Sequence, residues 1–168
     1  MLELGRLPDD PFAEIESYLR NEGFFAGDAE GLVADLYLGY GLSRQIRRVP
    51  SPDPPEPCRL PLAACRIRPA IARLPGAGQY RIGEWKHTWS EPQYAAAVDA
   101  VRAAIARGDV YQVNLVQHLR APFSGDPAGL AARLAHLEPL HPWPLVGDGW
   151  TIVSASPELF LARRGRRV

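Results

Sequence analysis

A capped helix that runs directly into an alternating strand limits what this chain can fold into more than any other feature. Ser90, with Gln93 three residues on, forms a capping box, and Pro92 falls in the first turn. Tyr94, Val98, Val101 and Ile105 then recur on one helical face until Gly108 closes it. Immediately afterwards the period changes. Over residues 110–119, Tyr111, Val113, Leu115 and Leu119 lie on one side, and Gln112, Asn114, Val116 and His118 on the other. A helix and a strand in tandem, each with one apolar face to cover, predict an α+β fold in which sheets pack with helices.

The flanking sequence supports that class. Asp10-Pro11 starts an amphipathic helix through Phe12, Ile15 and Leu19 to about Arg20, and Asp126-Pro127 starts another on Leu130, Leu134 and Leu137, ended by prolines at 139, 142 and 144. Residues 32–42 read as a buried strand with a glycine turn at Gly39 and Gly41. The string at residues 37–41 lacks the lysine and glycine spacing of a phosphate loop. Prolines at 50, 52, 54, 55, 57 and 61 forbid helix or central strand and predict an extended surface connection. Residues 58–74 show neither period, because Arg59, Arg66, Arg68 and Arg73 interrupt the apolar residues. Either these arginines bind an anion, or, the plainer reading, they are surface residues whose stems lie on the core. Residues 150–155 and 159–162 read as two β segments joined through Ser156-Pro157, with a turn at Arg164-Gly165. A strand returning at Arg166 would meet the end of the sequence at Val168, so we expect a domain cut short.

Charge and cysteine content narrow the function. Nineteen basic and nineteen acidic residues cancel, so no overall field draws the chain to nucleic acid or an anionic membrane, and a small-molecule ligand or protein partner is the better expectation. Cys58 and Cys65 are too few for a disulfide framework and lack the partners of a zinc site. Without an apolar run of about 20 residues or a signal-like start, the expectation is a cytoplasmic protein.

Three residues stand out as candidates for chemistry. Gln112 and Asn114 are uncharged amides on one strand face, suited to a carboxylate or hydroxyl ligand and equally to satisfying neighbouring backbone. Glu158 follows Ser156-Pro157 and precedes Leu-Phe-Leu. There it is either a carboxylate whose pKa is raised by burial, serving as a general acid, or a solvated strand-end glutamate. His87, His118, His136 and His141 sit on separate elements and form no metal set. No serine lies in a Gly-x-Ser-x-Gly elbow, and Trp85 and Trp89 read as hydrophobic anchors before the helix or as an aromatic platform.

The run Trp89-Ser90, Tyr94, GDVYQVNL (108–115), APFSGDP (121–127) and SASPELFL (154–161) resembles the chorismate-binding enzymes, most closely aminodeoxychorismate synthase component I, with anthranilate synthase component I as the near relative. The resemblance covers roughly residues 89–168 and implies a partial anthranilate synthase component I-like fold. Residues 1–75 would form a loosely matching N-terminal subdomain, and residues 76–168 the start of a truncated chorismate-binding domain. It further implies a magnesium-dependent enzyme of folate biosynthesis that aminates chorismate to 4-amino-4-deoxychorismate, with ammonia from a glutamine amidotransferase subunit. Glu158 matches the general acid for loss of the C4 hydroxyl. Gln112 matches the position where water-using relatives carry a lysine base. A glutamine cannot take that role, which favours an ammonia-using member. The family's TRPIKGT-type motif, with its proposed lysine nucleophile, and its later glycine-rich and magnesium-binding acidic motifs are not in this sequence. Residues 137–144 replace the usual Asn-Pro segment, and residues 58–74 lack the family's aromatic, acidic strand.

Overall fold

In the computed structural model, the described residues are 1–27, 31–45, 47–49, 58–71, 76 and 78–158. In chain order they form β1 (Leu2–Leu4), α1 (Pro11–Asn21), β2 (Leu32–Leu38), a 3-10 helix (Tyr40–Gln45), β3 (Ala63–Pro69), β4 (Tyr80–Ile82), β5 (Lys86–His87), α2 (Glu91–Arg107), β6 (Leu119–Arg120), β7 (Phe123–Gly125), α3 (Pro127–Leu134) with a 3-10 turn (Ala135–Leu137), β8 (Leu145–Gly147) and β9 (Trp150–Ile152). These small sheets and helices bear out the α+β expectation. They divide into two compact units, one made of Met1–Gly78 with Asp126–Val168, the other of Gln79–Gly125.

The first unit holds the core. The Asp10 carboxylate caps α1 by accepting from the backbone N–H groups of Phe12 and Ala13 at 3.0 and 2.9 Å, and Pro11 supplies a first-turn residue with no N–H to satisfy. Ile15 on its inner face meets Leu42, Ala63 and Cys65, with Leu2, Leu4, Tyr18 and Leu62 packed around them. Three antiparallel strands in the order β1-β3-β2 carry this cluster. The strand expected over 32–42 ends at Leu38, because the N–H of Gly39 turns onto the Leu62 carbonyl at 2.8 Å and the chain coils into the 3-10 helix that buries Leu42.

The central strand is β3, inside the stretch where the sequence showed no period. Ala63, Ala64 and Cys65 are buried in succession, so both faces of the strand's first half are covered and the alternation that marks a half-exposed strand is erased. Burial, reinforced by the negative charge of Asp35, raises the Cys65 thiol pKa, which disfavours the reactive thiolate. Cys58 is exposed. Iodoacetamide should therefore label Cys58 alone in the native chain and both cysteines in urea, as read by peptide mass spectrometry. Equal native labelling would show that β3 is not covered.

Asp126 caps α3 by accepting from the Ala128 N–H at 2.9 Å. β8 and β9, which were not anticipated as a pair, form a hairpin, and Glu3 pins it by accepting from the Asp148 N–H at 3.2 Å and from Trp150 Nε1 at 3.0 Å. Residues 50–57, within the proline-rich connection, and the second β segment at 159–162 with its following turn lie outside the described residues.

In the second unit α2 is built as its sequence requires. Ser90 and Gln93 complete the capping box, and Gly108 closes the helix at φ 78, a left-handed conformation that favours glycine. Two short ladders, β4 with β7 and β5 with β6, accompany it, and Tyr80 stacks on Phe123 at 6.1 Å. The expected strand over 110–119 is corrected. Among the described residues only its last residue, Leu119, lies in a strand, Leu119–Arg120, which pairs with the two residues of β5. Beyond them Thr88 extends the contact, its N–H and hydroxyl donating to the His118 carbonyl and its hydroxyl oxygen accepting the His118 N–H.

Candidate functional site

Gln112 and Asn114 follow α2 and its closing glycine on a segment whose start is fixed by Asp109, which pairs with Arg107 at 2.8 Å. Both amides are exposed, and neither is held by another described residue, so their donors and acceptors are open to a ligand. Further along, Gln117 Nε2 lies 2.8 Å from His87 Nδ1. These two residues line a shallow depression of about 620 Å³ with Trp89, Ser90, Glu91 and Tyr94. Trp89 meets Tyr94 edge to face at 6.2 Å, which makes it a support for the helix start, whereas Trp85 stands half exposed.

Glu158 belongs to the other unit. Ser156 holds its backbone in a tight turn: the hydroxyl accepts the Glu158 N–H at 3.3 Å and donates to the Glu158 carbonyl at 3.2 Å. The carboxylate itself is exposed. Of the two settings the sequence left open, buried or solvated, this is the solvated one; Ser156 and Pro157 are exposed as well, and residues 159–161 lie outside the described residues. The structure thus places Gln112 and Asn114 on one segment and Glu158 on a separate unit.

A buried polar group with three side-chain partners was not singled out in the sequence. Asp35, at the middle of β2, is 4% exposed. It sits directly opposite Arg66 on β3, with Arg68 two residues along the same face. Asp35 Oδ2 accepts from Arg66 at 2.7 Å and from Arg68 Nε at 2.8 Å, while Oδ1 meets His141 Nε2 at 2.9 Å. Arg68 also lies over the Trp143 ring, 4.0 Å from its centroid. Burial pushes the Asp35 pKa upward, but the hydrogen bonds from His141, Arg68 and Arg66 and the charge of Arg68 outweigh it, holding the carboxyl well below the usual carboxylate range. The surface reading of the arginines is therefore corrected for Arg66 and Arg68: both turn inward to neutralise a buried acid. Their i, i+2 spacing, set against a lone aspartate in an apolar strand, is the signal that could have found the network. Through His141 and Trp143 it also ties the proline-rich segment at 139–144 to the sheet.

Among the described residues no three histidine, cysteine, aspartate or glutamate side chains gather as a metal site. The magnesium implied by the resemblance finds no ligand set among them. Among the described residues, no helix is long and apolar enough to cross a membrane.

The family model for chorismate binding enzymes matches residues 26–168, most of the chain. The chain belongs to the chorismate-binding enzyme family. Within that family it is 31% identical over 132 residues to anthranilate synthase component 1 of Streptomyces coelicolor, an alignment covering 76% of this chain and 23% of the relative. It is 38% identical over 77 residues to an anthranilate synthase component 1 of Haloarcula marismortui, covering 45% of this chain and 16% of the relative. The chain thus spans less than a quarter of the length of these curated relatives. No solved structure matches it. The family match takes in β2, β3 and the Asp35 network as well as the motif-bearing second half.

Proposed function

We propose that this chain is part of a component I enzyme that aminates chorismate with ammonia delivered by a glutamine amidotransferase subunit. The observation that carries the reading is Gln112. It stands exposed on the GDVYQVNL segment of a chorismate-binding enzyme, where the resemblance puts a lysine base in water-using members. An amide cannot deprotonate water, so the nucleophile it suits is ammonia, which needs no such base. Asn114 beside it offers hydrogen bonds to a substrate carboxylate or hydroxyl. Glu158 supplies the proton with which the C4 hydroxyl leaves as water.

Two positions of amination fit this chemistry. The four-motif run favours C4, giving 4-amino-4-deoxychorismate on the way to para-aminobenzoate. The names of the two curated relatives favour C2 and anthranilate. Co-expression with the remainder of the enzyme and its amidotransferase, followed by product identification by chromatography, separates the two. A hydroxylated product, isochorismate or salicylate, would overturn the ammonia-using reading.

The chain alone is expected to give no amination above background when incubated with chorismate, magnesium and ammonium, because it spans so small a share of its relatives. Appreciable product from the purified chain would show that these residues suffice. Binding of the amidotransferase without any turnover in the completed assembly would instead favour a non-catalytic module.

A further inference from the structure

Among the described residues the Glu158 carboxylate has no partner, so its place is set by its backbone. Ser154 and Ser156 fold that backbone locally. The Ser154 hydroxyl accepts the Ser156 N–H at 3.2 Å, and the Ser156 hydroxyl holds both the N–H and the carbonyl of Glu158. Such a turn fixes its own shape but not its position in the molecule. The Leu140 N–H ties it to a distant segment by donating to the Ser156 carbonyl at 3.5 Å, a long bond that is weak unless Leu140 is itself held. The Leu140 side chain, 58% exposed, does not hold it. The next residue does. His141 Nε2 meets Asp35 Oδ1 at 2.9 Å, and Arg66 and Arg68 fix Asp35 through its other oxygen. Trp143 lies under Arg68 and meets His141 edge to face at 6.2 Å. Pro139, Pro142 and Pro144 restrict φ at three positions of the segment, so its two anchored side chains set the path of the whole. All of these residues belong to one compact unit.

We infer that His141, locked onto Asp35, is a positioning residue for Glu158 and acts through the Leu140 N–H on the Ser156 turn. The inference rests on the reading of Glu158 as the proton donor, and deepens it. A general acid works only within hydrogen-bond reach of the oxygen it protonates, and a misplacement of about 1 Å costs on the order of 100-fold in rate. An exposed carboxylate on a surface turn meets that demand only if something outside the turn fixes it. His141 does this without carrying the fold: its side chain is 44% exposed, and Asp35 keeps both arginines in its absence.

The test is His141→Ala, made in the chain assembled with the remainder of the enzyme and its amidotransferase. The expected result is a fall in kcat of about 10–100-fold with little change in the KM for chorismate. In the full chain by itself, exchange of the Leu140 and Glu158 amides should quicken by about threefold or more. His141→Gln keeps an N–H within reach of Asp35 and should restore most of kcat, and His136→Ala, at an exposed histidine on the preceding turn, should change neither readout. Ser156→Ala should also lower kcat, and the double variant with His141→Ala should be no slower than the slower single one, because both changes cut the same line of support. Fully multiplicative losses, a rise in KM at constant kcat, no recovery in His141→Gln, or unchanged exchange would each overturn the positioning role. If Glu158→Gln leaves turnover unchanged while His141→Ala still quickens exchange at Glu158, the link from His141 to the turn stands and the proton-donor reading falls.

Discussion

Replacing Asp35 with alanine is expected to cost the fold about 3–5 kcal/mol, the range for removing one partner of a buried ion pair. The size of the effect follows from what is left behind. Asp35 is buried and opposes two guanidinium groups, of which Arg68 is the more enclosed, at 11% side-chain exposure. Without the carboxylate, Arg66 and Arg68 keep their charge in a site that no longer compensates it, and His141 loses the contact that holds the 139–144 segment. Urea unfolding followed by tryptophan fluorescence measures this, because Trp143 lies against Arg68 and reports on the network. A loss below about 1 kcal/mol would put Asp35 in the class of exposed pairs and refute its structural role.

Asp35→Asn adds a test by pH. The folded-state pKa of Asp35 lies below its unfolded value of about 3.9. Its contribution is therefore fully present above that value and is lost as the pH falls through it towards the folded pKa. In this window the wild type should lose up to about 1.4 kcal/mol per pH unit through this group alone, and Asp35→Asn should lack that component. Parallel acid profiles for the two proteins would show that the carboxylate is not held in its charged form.

Glu158→Gln in the completed enzyme is expected to lower kcat by about 10²–10⁴-fold, the usual contribution of a positioned proton donor, with little change in the KM for chorismate. Glutamine keeps the shape and most hydrogen-bonding capacity of the side chain but has no proton to give to the departing C4 hydroxyl. The serine-held turn at Ser156 fixes the backbone of Glu158, so the substitution should leave the local conformation in place. Unchanged turnover would remove Glu158 from the chemistry. A rise in KM at constant kcat would assign it to substrate binding instead.

The sequence alone sufficed wherever a local rule governs structure. The caps of α1, α2 and α3 are side chain to backbone contacts over two or three residues, and Asp10, Ser90 with Gln93, and Asp126 make them as their types and spacings require. The same locality made the family legible, since its motifs are short and lie in order along the chain. Strand formation is different, because a strand exists only where a second backbone runs beside it. Residues 110–119 have the pattern of a strand yet pair only at their end, while β3, whose pattern looked like none, is the centre of the main sheet. The role of Arg66 and Arg68 was decided the same way. Their charges looked like surface residues until the register of β2 and β3 placed a buried carboxylate between them, and His141 reached it from 106 residues away. Local propensity is written in neighbouring residues; pairing and charge neutralisation depend on which distant residues the fold brings within a few ångströms, and only the tertiary structure decides that.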